Sequence, residues 1–98
     1  MTTTTTKSIT AQNTWSDAVS IEGYFNLSIS GTFVATVTVQ RSPTNYNPTW
    51  GDVDTFTAAT EQVGFEPENM YYRVGVKTGE YTSGTVDIRV GQEDKEHH

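Results

Sequence analysis

Few residues of this chain are suited to chemistry, and the pattern they make argues against catalysis. Asp52 and Asp54 stand two apart, and Glu66 and Glu68 flank Pro67. Paired carboxylates of this kind can share acid and base roles when a cleft holds them at working distance. On alternating strand positions they more often form a solvated face, and nothing near either pair in the sequence suggests a cleft. Asp52, Asp54, Asn45 and Asn47 offer oxygen ligands, but their spacing fits no calcium loop, so no metal site and no cofactor are expected. The two histidines, His97 and His98, lie together in the terminal tail, and the chain has no cysteine. No serine or threonine therefore has an evident base beside it, and a nucleophilic triad is not expected. The chain reads as a non-enzyme.

Aromatic side chains are the stronger candidates for binding. Trp15, Trp50, Tyr46, Tyr71 and Tyr81 can each stack on a sugar or anchor a protein contact. Trp50 starts a predicted strand and Trp15 sits among Val19 and Ile21, so both are expected as core plugs. Tyr46 and Tyr81 fall in predicted loops and are expected to be exposed.

Most of the chain that must carry these residues alternates with period two. Phe25, Leu27 and Ile29 alternate with Asn26, Ser28 and Ser30. Phe33, Ala35, Val37 and Val39 share one face of the next run, and Gly31 between the two runs predicts a hairpin. Met70–Lys77 and Thr85–Val90 repeat the pattern, with Tyr72, Val74, Val76, Val86, Ile88 and Val90 on the apolar faces. The connection Thr78–Gly84, with Gly79 and Gly84 free to take positive φ, predicts a second hairpin.

Ser42–Thr49 is a Pro- and Asn-rich loop. Trp50 to Phe56 is a strand, Glu61–Phe65 a shorter strand or crossing, and Glu66–Asn69 a turn. Two short strands are expected around Ile9, Trp15, Val19 and Ile21. No apolar residues recur at helical spacing, so seven or eight antiparallel strands in a single β-sandwich are predicted, with essentially no helix.

Ninety-eight residues suit one domain. Residues 1–8 are expected as an extended N-terminal arm, 9–91 as the sandwich, and 92–98 as a charged, disordered tail. Thr2, Thr3, Thr4, Thr5, Thr6 and Lys7 are β-prone but too polar to enter a core. Their expected route to order is pairing with a strand edge, of this molecule or another, which makes them candidate partner-binding residues together with Tyr46 and Tyr81. A homo-oligomer is compatible with such an arm.

Twelve acids against six bases give a formal charge of −6, which disfavours nucleic acid as a partner. No run approaches the roughly 20 apolar residues of a membrane helix, and Met1–Lys7 lacks the apolar stretch of a secretory signal. Neither a membrane partner nor export is expected.

Three stretches carry a family resemblance: Ile29–Ser42, reading ISGTFVATVTVQRS; Thr49-Trp50 with Val53–Thr57; and Tyr71–Gly91, reading YYRVGVKTGEYTSGTVDIRVG. Together they resemble small virion-associated structural proteins of tailed bacteriophages and prophages. That resemblance implies an immunoglobulin-like or fibronectin-like sandwich, made in the host cytoplasm and located in the virion. The implied function is non-catalytic: capsid decoration, with the major capsid protein or another virion structural protein as partner. A head-tail or tail component is the alternative within that class, and a carbohydrate-binding module for cell-surface glycans is the alternative outside it.

Overall fold

The computed structural model describes residues 2–44 and 49–93. All its regular structure is strand: β1 (Thr2–Ile9), β2 (Thr14–Trp15), β3 (Val19–Ser30), β4 (Phe33–Ala35), β5 (Val37–Ser42), β6 (Gly51–Phe56), β7 (Thr60–Val76), β8 (Tyr81–Gly84) and β9 (Val86–Glu93). A seven-stranded antiparallel sheet has the order β1-β9-β3-β7-β5-β6, with β2 also paired to β7, and β4 pairs with β8 in a two-stranded sheet. This all-β arrangement is consistent with a β-sandwich.

The 17-residue strand β7 organises the sheet. Residues 60–66 pair with β3 from Gly23 to Ile29 and residues 70–72 with β3 from Val19 to Ile21, while residues 71–75 also pair with β5 and residues 75–76 with β2. A register shift between Ile21 and Gly23 of β3 separates the two halves. Gly23 has φ 91° there, a conformation that costs an L residue with a side chain energy. The predicted turn at Glu66–Asn69 is this bulge within one continuous strand. Pro67 is tolerated in it because a bulge leaves residues outside the hydrogen-bonded ladder.

Both predicted hairpins are corrected. The run before Gly31 pairs with β7 and β9, whereas the run after it enters β4 and then β5. Likewise β7 and β9 are separated by β3, and the connection between them contains β8, which closes on β4. Gly31, Gly79 and Gly84 do adopt positive φ, so the turns form, but they pass the chain between sheets instead of folding it back on itself. Two boundaries also move. The N-terminal segment is extended, and of the two expected partners it takes the strand edge of this molecule: Thr2–Ile9 pairs residue by residue with β9, Thr2 opposite Glu93 through Ile9 opposite Val86, and so belongs to the sheet. Gln92 and Glu93 belong to β9, while the remainder of the predicted tail lies outside the described residues.

The core gathers Leu27, Ile29, Val37, Val39, Tyr72, Val74, Val76, Val86 and Ile88, as the alternation predicts. Phe25 and Phe33, expected inside, are half-buried and pack against it, and Ile9, Val19, Ile21, Met70 and Val90 complete it. Ile9 is fully buried because its strand is zipped to β9 opposite Val86. Val74 is fully buried, so Val74→Ala is expected to lower unfolding free energy by about 1–3 kcal/mol through lost burial and a residual cavity. Urea denaturation checks this, and an unshifted midpoint would remove Val74 from the core.

Candidate functional site

Two polar constellations and one apolar surface are the candidates. The first is built on the outer face of the sheet where Gly75 of β7 lies opposite Trp15 of β2. The missing Cβ of Gly75 lets Trp15 lie against the strand, since a Cβ there would stand 2.7 Å from the indole Cδ2. The guanidinium of Arg73 then sits 4.3 Å from the Trp15 ring centroid and 4.6 Å from that of Trp50. The tryptophans are therefore not core plugs: they clasp an arginine on the outside of the sheet, and both are half-buried. Burial between them lowers the Arg73 pKa from its usual value, which leaves it charged at any ordinary pH. Arg73 Nε donates to Gln40 Oε1 at 2.9 Å, Gln40 Nε2 donates to Asp52 Oδ1 at 2.8 Å, and Asp52 pairs with Lys77. The Lys77 hydrogen bond holds the Asp52 carboxyl below the usual carboxylate range, and the same bond raises the Lys77 pKa.

Asp54 takes no part in this chain. A register shift in the β5–β6 ladder puts Asp52 opposite Gln40 but Asp54 opposite Val39, on the other face. The candidate acid pair, expected as no more than a solvated face, is split by the bulge. Among the described residues no group of three or more His, Cys, Asp and Glu converges on a point that could hold a metal ion.

Glu66 builds the second constellation, one missed at the sequence level. It is 2% exposed, and its carboxylate accepts hydrogen bonds from Arg41 Nε (3.0 Å), Arg41 Nη2 (3.2 Å), the Tyr72 hydroxyl (2.7 Å) and the Glu68 amide (3.1 Å). Burial by itself would raise its pKa, but these donors outweigh it and hold the group below the usual carboxylate range. Burial first, and the bond to Glu66 second, push the Tyr72 phenol up to about 12. A carboxylate with four donors already in place has little capacity left to take a substrate proton. Glu68 is exposed and contributes its amide, so the pair flanking Pro67 is a structural clamp.

The apolar surface runs across β3 and β7. Tyr24 lies opposite Phe65 and Asn26 opposite Val63, so Tyr24, Val63 and Phe65 share one outer face. They are 62%, 79% and 57% exposed, and the Tyr24 and Phe65 rings lie 4.8 Å apart at 57°. The same strands present their opposite side to a groove of about 160 Å³ whose lining includes Phe25, Leu27, Val39, Phe56, Gly64 and Tyr72.

Comparison with protein-family models, curated proteins and solved structures returns no match to this chain.

Of the sequence-level candidates, Thr2–Lys7 are brought into the sheet as its outermost strand, with Thr5 buried and Thr4, Thr6 and Lys7 exposed. Tyr81 is not a free loop ring. It lies in β8, half-buried against the core, and its hydroxyl donates to the Gly84 carbonyl at 2.7 Å. Tyr46 lies outside the described residues. Phe65 and Val63 were legible as a short strand, but their exposure was not, because it depends on which face of the β3–β7 ribbon the core covers.

Proposed function

We propose that this chain is a non-catalytic structural protein of a tailed-phage virion, a capsid decoration or accessory protein that docks on the particle through Tyr24, Val63 and Phe65. The observation that carries the docking surface is the contiguity of these three exposed apolar side chains on two paired strands. Isolated exposed apolar residues are ordinary, whereas adjacent ones held on a rigid ribbon suit a protein contact with aromatic anchors at its centre. The virion assignment rests on the sequence resemblance, and its partner is the major capsid protein or another virion structural protein. The polar constellations favour a structural role too, since each charged group is engaged within the fold. A glycan platform calls for coplanar rings, and Tyr24 and Phe65 are inclined at 57°.

The test adds wild-type protein and a Tyr24→Ser/Phe65→Ser variant to undecorated particles, then sediments them and counts bound copies. Both side chains are exposed, so the fold is expected to survive, checked by circular dichroism. Loss of two aromatic anchors is expected to weaken binding by about 100-fold or more. Unchanged binding rejects this surface. Glycan binding that disappears in the same variant hands the function to the carbohydrate class, and tails binding where heads do not moves the protein to the tail.

A further inference from the structure

We propose that the free edge of β1 pairs antiparallel with the same edge of a second copy about a two-fold axis, joining the two large sheets into one. This is independent of what the apolar face binds. Among the described residues the large sheet leaves open the outer sides of β1 and β6, the side of β7 residues 60–66 away from β3, and the side of β3 residues 19–25 away from β7, where the Gln92 side chain already engages the Glu22 and Tyr24 backbone. β2, β4 and β8 also have free sides but are only 2, 3 and 4 residues long.

Unpaired edges are commonly blunted by charge or proline, which discourages pairing with another chain. β6 carries Asp52 and Asp54, and the open part of β7 runs from Glu61 to Glu66 and into Pro67. Two copies, each of charge −6, would bring acids together at either of those edges. β1 has neither an acid nor a proline: Thr2 to Thr6 are all threonine, followed by Lys7 and Ser8. Asp87, on the neighbouring strand, is held by the Ser8 hydroxyl.

Pairing β1 with itself also preserves the faces of the sheet. Thr5 and Ile9 are buried, whereas Thr4, Thr6 and Ser8 point out. Residues opposite each other in an antiparallel pair share a face, so a register must set Thr5-type positions against their own kind. Two registers do so while keeping most of the strand paired. Centred on Thr5, Thr4 of one copy lies opposite Thr6 of the other; centred on Thr6, that residue lies opposite its own counterpart. Either places threonine against threonine, a favourable cross-strand pair. A single strand edge falls far short of the roughly 1,600 Å² of a standard interface, so the dimer is weak and counts most where copies are held close together.

The chain has no cysteine, which makes the register readable. Thr4→Cys and Thr6→Cys variants of the full chain would be oxidised singly and as a mixture at near-millimolar concentration, with exposed Tyr24→Cys as the collision control. Cross-linking is expected to be at least about tenfold faster than the control for Thr6→Cys alone, or for the mixed pair, according to the centre. Sedimentation equilibrium of unmodified protein is expected to show monomer and dimer, with more dimer as salt screens the repulsion between acidic copies. A Thr4→Lys/Thr6→Lys variant, its fold verified by circular dichroism, should remain monomeric. Cross-linking no faster than the control, a monomer at every concentration, or growth beyond dimers would each overturn the proposal, the last by showing that β1 pairs with a different edge.

Discussion

Gly75→Ala is expected to lower unfolding free energy by about 3 kcal/mol, at the upper end of what over-packing ordinarily costs. A Cβ at this position would stand 2.3 Å from the Thr14 carbonyl oxygen and 2.7 Å from Trp15 Cα. Those are backbone atoms of the paired strand, so no rotamer change relieves the clash and β2 must lift from β7. Lifting β2 strains the contacts that continue it: the Ser16 amide donates to the Val74 carbonyl at 2.8 Å, and the Val74 amide donates to the Ser16 hydroxyl at 3.0 Å. It also withdraws Trp15 from Arg73. The expected signature is therefore a lower urea midpoint together with a red shift of tryptophan emission in the folded protein. Gly51→Ala is the control, because a Cβ there meets nothing within 4 Å. Equal midpoints for the two variants would show that Trp15 does not depend on the bare strand at Gly75.

The same residue marks a limit of what the sequence reveals. Period-two alternation names the strands and most of the core, because a half-buried strand imposes that pattern wherever it pairs. It does not name the pairing partner. Gly31 and the Thr78–Gly84 connection have the composition of hairpin turns, yet the neighbours of each strand are set by how β4 and β8 close against one another, a long-range contact. The outward position of Trp15 needs a glycine directly across the ladder, and that register is a tertiary fact.

Glu66 was hidden for a related reason. Next to Pro67 it reads as a turn residue, and only a partner reveals that it is buried. One local signal was present: Val37, Val39 and Arg41 share strand parity, so the alternation that buries two valines carries an arginine toward the same side. A cation there calls for a carboxylate, and the long strand β7 brings Glu66 within reach together with Tyr72. The groups suited to chemistry were thus visible as residue types, but the hydrogen bonds and ion pairs that engage Glu66 and Asp52 were not.

Glu66→Gln is expected to destabilise the protein by about 2–3 kcal/mol at neutral pH. Removing one partner of a buried ion pair ordinarily costs 3–5 kcal/mol, about, and the lower figure applies because the Arg41 side chain remains 39% exposed and can be hydrated. The pH dependence separates this clamp from simple loss of packing. The Glu66 pKa is lower in the folded protein, so its stabilisation is present above the ordinary carboxylate range and is lost as pH falls through the folded value. The difference between wild type and Glu66→Gln should therefore shrink in acid.

Tyr72 works in the opposite sense. Its folded pKa of about 12 lies above the unfolded value near 10, so its contribution is complete below pH ~10 and disappears as pH rises toward 12. A shift of that size corresponds to roughly 2–3 kcal/mol across the window. Tyr72→Phe should cost about 1–2 kcal/mol at neutral pH through the lost bond to a charged acceptor, and it should flatten the alkaline fall in stability. Urea titrations of wild type and both variants at acid, neutral and alkaline pH provide the measurement. A Glu66→Gln deficit that persists unchanged in acid, or a Tyr72→Phe protein with the wild-type alkaline slope, would mean that the Arg41, Glu66 and Tyr72 side chains do not act as one ionised clamp.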